Sequence, residues 1–91
     1  MNASQNPDDL LATRRKRALF RAWHRGIREM DIVLGGFAER SLASLDEAQL
    51  AEFEAILELH DRDLIRWVTG EEAAPSDVDT PLWRAILGGA A

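Results

Sequence analysis

The sequence predicts an all-α fold, a single small bundle of five helices. Three observations predict it. Apolar residues recur at helical spacing, most clearly Met30, Val33, Leu34, Phe37 and Ala38 at i, i+3, i+4, i+7 and i+8. No segment sustains the period-2 alternation of a strand. Gly26, Gly70, Pro81 and Gly88-Gly89 punctuate the chain at short intervals, so the helices are short and closely linked. With 91 residues, of which 46% are hydrophobic, the chain supports one domain and one core. A chain of this length buries only about 60% of its unfolded surface, which leaves too little wall for a deep enclosed pocket.

Residues 1–12 are polar, contain Pro7 and keep no period, so they read as a flexible N-terminal tail before a domain over 13–91. Thr13 is placed to cap the first helix. Leu19 and Trp23 stand four apart with Phe20 beside them, an apolar stripe that predicts a buried face. Arg14, Arg17, Arg21 and Arg25 recur every three or four residues and are expected on an exposed side. The run Arg14-Arg15-Lys16-Arg17 at a helix N-terminus opposes the macrodipole, which points to another use for these charges. Gly26 ends or bends this helix, because glycine accepts positive φ without penalty.

The second helix is expected from Arg28 to Ser41, with Glu29 and Asp31 in its first turn, where carboxylates suit the dipole. Gly35-Gly36 inside it costs about 1 kcal/mol per glycine relative to alanine, and predicts a kink or the close approach of another backbone. Leu45 to Leu50 reads as the third helix start: Asp46 caps, Gln49 closes a capping box and Leu45 staples to Leu50. Leu50, Phe53, Ile56 and Leu57 then face inward, while Glu47, Glu52, Glu54 and Glu58 make the outer faces acidic. Asp61 is expected to cap the fourth helix, whose apolar face is Leu64, Trp67 and Val68, ended by Gly70. Residues 71–79 are a linker by composition. Thr80-Pro81 is a cap followed by a proline at the first helical position, and Leu82, Trp83, Ile86 and Leu87 define a last helix stopped by Gly88-Gly89. All three tryptophans fall on apolar faces and are expected in the core, Trp67 with part of its ring open to solvent.

Net charge is -5 but unevenly spread: residues 1–28 carry seven Lys/Arg and two Asp/Glu, residues 29–91 four and fourteen. Such asymmetry points to a charged partner, or to two segments that attract each other. The absence of cysteine excludes disulfides, thiolate metal sites, iron–sulfur ligation and thiol nucleophiles. His24 and His60 fit no metal-ligand spacing, and Asp61-Arg62-Asp63 lacks the glycine and later glutamate of an EF-hand loop. There is no glycine-rich phosphate loop and no Gly-x-Ser-x-Gly elbow, so the chain is expected to hold no metal or cofactor of its own and to be no enzyme. No apolar run approaches the ~20 residues of a membrane span, and the first twelve residues carry Asp8 and Asp9 but no Lys or Arg, unlike a secretory or mitochondrial leader. The expectation is a bacterial cytoplasmic protein, not inserted in a membrane and monomeric when free.

The basic run has three readings: a solvated face, a nucleic-acid contact through phosphates, or a surface for an acidic protein. The negative remainder of the chain would repel a nucleic-acid backbone, so no nucleic-acid partner is expected. A small helical nucleic-acid-binding module using the basic first helix remains the alternative. The densest stretch runs from Trp23 to Asp31, where Arg25, Arg28, Glu29 and Asp31 surround Gly26 at the junction of two helices. A structural reading makes Gly26 a C-cap, Glu29 a dipole partner and Arg25 half of a weak salt bridge. A recognition role stands beside it, since so much charge is costly to hide and useful to expose.

Arg25-Gly26-Ile27-Arg28-Glu29 resembles the Arg-Gly-x-x-Glu motif of the succinate dehydrogenase assembly factors, the small flavinylation factors of bacteria and mitochondria. Arg14 to Trp23 is similar to that family's basic, aromatic first helix, and Glu29-Met30-Asp31-Ile32 to its Glu-Leu-Asp-Leu continuation. Phe53 to Glu58, followed by Asp61-Arg62-Asp63-Leu64 and Trp67, resembles its later signature, with His60 where the family often has proline or a small polar residue. The resemblance implies a five-helix bundle that binds the flavoprotein subunit of succinate dehydrogenase, and in some bacteria of fumarate reductase. It implies that the chain promotes covalent attachment of FAD to a histidine of that client, without turnover of its own. Carried onto this sequence, Arg25, Gly26 and Glu29 would meet the client, with Arg28 and Asp31 as neighbours and Trp67 as an outlying contact.

Overall fold

A computed structural model describes residues 7–90. Among them the chain forms α1 (Pro7–Trp23), α2 (Arg28–Ser41), a 3-10 turn (Leu42–Ser44), α3 (Glu47–Leu57), α4 (Asp61–Val68) and α5 (Pro81–Ala90), with no strand. The all-α, five-helix expectation holds.

The bundle is built around α2, which packs on α1, α4 and α5, while α3 closes the other side against α1 and α5. Its sequence explains that place. Met30, Val33, Leu34, Gly35, Phe37 and Ala38 are all buried, a face too wide for a helix with one neighbour. Its limits match the expected ones. In the core, the rings of Phe37 and Phe53 lie 5.5 Å apart, and Trp83 meets Trp67 edge-on at 6.3 Å.

α1 departs from expectation in two ways. Among the described residues it runs from Pro7, six residues ahead of the expected start at Thr13. Residues 7–12 are therefore helical, and residues 1–6 of the expected tail lie outside the described residues. Arg14 to Arg17 then sit about two turns inside the helix, beyond the reach of the dipole penalty. The buried face also differs. It consists of Ala18 and Ala22, four apart and small enough for α1 to lie close on α2. Phe20 is two positions from each alanine and so points away; it is 63% exposed.

Trp23 is not a core residue either. It is 37% exposed, and its indole lies flat over Gly35 of α2, where any Cβ would collide with the ring. Its Nε1 donates to Glu39 at 3.1 Å. The glycine in mid-helix thus accommodates an aromatic side chain, neither a kink nor another backbone.

The expected caps are present at α3 and α5. Gln49 N donates to the Asp46 carboxylate at 2.8 Å and Asp46 N to the Gln49 side chain at 2.9 Å, a complete capping box. Trp83 N donates to Thr80 Oγ1 at 3.3 Å, and the Thr80 hydroxyl donates to Glu52, tying the start of α5 to α3. α4 is different: its N-cap is His60, which makes no side-chain cap bond, and Asp61 falls in the first turn with its carboxylate turned elsewhere. α4 does end at Gly70, with φ +82°, whereas α5 continues through Gly88-Gly89. The 71–79 segment is packed rather than loose: Ala74 and Val78 lie on the core and Glu72 pairs with Arg66.

The uneven charge resolves as two attracting segments. Arg14 grips Glu54 with two hydrogen bonds, 2.7 and 3.2 Å, and reaches Glu47 at 3.5 Å. Arg21 pairs with Glu58 at 2.5 Å, and Arg15 donates to the Leu45 carbonyl at 2.9 Å. The hydrogen bond from Arg14 holds the Glu54 carboxyl below its ordinary value, and the Arg14 guanidinium is correspondingly raised.

Candidate partner interface at the α1–α2 corner

Four residues, His24 to Ile27, join α1 to α2. Gly26 takes φ +96°, a conformation side chains rarely adopt, and reverses the chain. The corner is held from both sides. Asp31 reaches back from the first turn of α2, accepting the Arg25 backbone N–H at 2.6 Å, while its own N–H donates to Ile27 O at 3.0 Å.

The Arg25 side chain turns inward and is only 10% exposed. Its Nε donates to Asp61 Oδ1 at 2.9 Å, Nη1 to Leu57 O at 2.5 Å and Nη2 to Leu59 O at 2.7 Å. It thus satisfies a carbonyl at the end of α3, where a cation also suits the dipole, and fixes the turn into α4. A planar fork of donors is the group that can do this. The expectation that Arg25 presents its charge outward is therefore corrected: its guanidinium is consumed by internal acceptors. Asp31 is half-buried and likewise engaged.

What the corner displays is Gly26, Arg28 and Glu29, all exposed. No ion pair or side-chain hydrogen bond engages Arg28 or Glu29 among the described residues. A Cβ at Gly26 would touch nothing, so the glycine leaves open space above the backbone. Trp67 does not join this group. It is half-buried against Trp83, with Nε1 buried and without a hydrogen-bond partner. The corner thus divides into an inner pair that locks the turn and an outer trio free to meet another molecule.

Sequence reasoning missed the carboxylate that orients Arg25: it is Asp61, 36 residues away. It also missed an exposed stacked pair. The His24 ring lies 3.9 Å from Phe20, and its Nδ1 donates to Phe20 O at 2.6 Å. The i, i+4 spacing of the two rings is the signal that would have found it. Arg14, Arg15 and Arg21 of α1 and Arg25 of the corner all engage α3 or the turns flanking it, which leaves Lys16 and Arg17 of the basic run outside this network. Among the described residues there is no group of His, Cys, Asp and Glu arranged to hold a metal ion, and no helix long and apolar enough to cross a membrane.

Comparison with known proteins gives the family of the chain as a whole. The family described as flavinator of succinate dehydrogenase matches residues 16–89. The chain is 40% identical over 86 residues to the FAD assembly factor SdhE of Acetobacter pasteurianus, covering 94% of this chain and 79% of that protein. It is 29% identical over 72 residues to the mitochondrial succinate dehydrogenase assembly factor 2 of Dictyostelium discoideum, covering 79% of this chain and 51% of that one. To the mitochondrial succinate dehydrogenase assembly factor 2-B of Drosophila melanogaster it is 30% identical over 82 residues, covering 88% and 53%. The chain thus spans about half the length of these two mitochondrial relatives. The family match takes in the whole corner and reaches from α1 to α5, and the chain belongs to the flavinators of succinate dehydrogenase.

Proposed function

We propose that this chain is an assembly factor: it binds the flavoprotein subunit of succinate dehydrogenase and promotes covalent attachment of FAD to it, with no turnover of its own. Family membership supports the reaction. The observation that carries the mechanism is the split corner, with Gly26, Arg28 and Glu29 outside and Arg25 and Asp31 holding the turn from within. A loop fixed in advance loses little entropy on binding, and a client held in one geometry crosses its barrier more easily.

In this reading Gly26 lets a client backbone come close, Glu29 accepts client donors and Arg28 pairs with client carboxylates or carbonyls. Arg25 and Asp31 act as positioning residues, and Trp67 stiffens α4 behind them. FAD belongs to the client, and the factor carries no cofactor. The same corner serves the flavoprotein subunit of fumarate reductase where that enzyme occurs. The chain acts in the cytoplasm and is monomeric when free.

The test is complementation of a strain lacking its own factor, reading covalent flavin on the client by fluorescence after denaturing electrophoresis. The wild-type chain should restore the signal. If it does not, the assignment to this client is wrong.

A further inference from the structure

Beside the corner, a groove of about 420 Å³ runs between α2, α4 and α5. Ile32, Val33, Ile65, Val68 and Leu87 make it apolar, and Glu29 is the one charged side chain that lines it. Glu29, Ile32 and Val33 stand at i, i+3 and i+4, so one face of α2 carries both the corner carboxylate and the groove wall. Ile32 is 55% exposed, whereas Met30 and Leu34 on either side of it are fully buried. The core side of α2 is therefore already supplied, and the fold does not need a large apolar residue at position 32. Apolar surface collected in a concavity beside an unpaired charge marks an interaction site.

The lining also selects the occupant. Glu29 has no partner among the described residues, so the charge on the groove wall is an uncompensated carboxylate. A cationic segment is attracted there and an acidic one repelled. A second copy of this chain is disfavoured, because a two-fold contact through the groove would set the two Glu29 carboxylates near each other. We propose that the groove seats a large apolar side chain of the client flavoprotein, with a lysine or arginine next to it paired to Glu29. This rests on the client reading above. It adds a second point of attachment, so that the client is gripped at Gly26 and again one turn along α2.

The test titrates the full chain against purified client flavoprotein lacking covalent flavin, and follows covalent flavin in parallel. Ile32→Asp should weaken binding about tenfold or more, the range of a buried interface anchor, with no change in melting temperature. Ile32→Met, which keeps apolar contact, should bind within about twofold of wild type. Ala55→Asp, an equal charge on the exposed face of α3, should match wild type. If wild type binds and Ile32→Asp binds equally well, the groove proposal is overturned and the corner reading survives. If Ala55→Asp loses as much as Ile32→Asp, the effect is net charge and the proposal falls. If Ile32→Asp instead disperses a dimer of the free chain, the occupant is a second copy and the proposal is wrong. Failure of wild type to bind sinks the client reading and the groove together.

Discussion

Arg25 Nε meets Asp61 Oδ1 at 2.9 Å, with both side chains mostly removed from water, 10% and 15% exposed. This pair joins the α1–α2 corner to the first turn of α4. Together with the two carbonyls Arg25 also satisfies, it makes the most conspicuous charge of the motif a structural clamp.

Breaking that clamp leaves Asp61 and the Leu59 carbonyl without their donor, and leaves Leu57 O with only the 3.4 Å bond from Arg21. Arg25→Ala is expected to cost about 3–5 kcal/mol, as for other buried pairs that lose one partner. Arg25→Lys should recover only part of this, since a point charge cannot serve three acceptors in a fork. Thermal or urea unfolding of the two variants checks both values.

Gly26 is constrained by backbone and not by space, because φ is +96° and nothing lies within 4 Å of a would-be Cβ. Gly26→Ala should fold with a loss of about 1–3 kcal/mol, and Gly26→Asn should lose less, as asparagine tolerates positive φ better. Urea titration separates the two.

Gly35 is constrained by space. Gly35→Ala drives the Trp23 indole off α2 and breaks its hydrogen bond to Glu39. A loss of about 1–3 kcal/mol is expected. Tryptophan emission should shift to the red relative to wild type, because Trp67 and Trp83 stay packed together.

The Arg14–Glu54 pair sets an acid limit. The Glu54 carboxyl is lower in the folded chain than its ordinary value of 4.5, so its contribution is complete above that pH. It is lost as pH falls through the lowered folded value. Wild type should exceed Glu54→Gln by at most about 1 kcal/mol at neutral pH, for a partly solvated pair. The gap should shrink below pH 4.5, which melting curves across the acid range would reveal.

Local signals were readable from the sequence wherever one residue decides the outcome. The limits of α2, the Asp46–Gln49 box, the Thr80-Pro81 start and the turn glycines Gly26 and Gly70 all appear as expected. What the sequence obscured depends on distant neighbours. Phe20 and Trp23 look like core residues by type, but the close approach of α1 to α2 requires Ala18 and Ala22 between them. α5 runs through Gly88-Gly89 because glycine permits a stop without compelling one. The inward turn of Arg25 was hidden because its acceptors, Leu57, Leu59 and Asp61, lie more than thirty positions away. The free carboxylate of Glu29, by contrast, follows from its first-turn position, with no cation beside it on its own face.

The most direct measurement is covalent flavin on the purified client flavoprotein incubated with FAD and the Glu29→Ala chain. Glu29 is exposed and engages no internal group among the described residues, so the variant should melt with wild type. The account predicts that covalent flavin falls at least about tenfold, the loss of one charged interface contact. Undiminished flavinylation by a fully folded Glu29→Ala would contradict it.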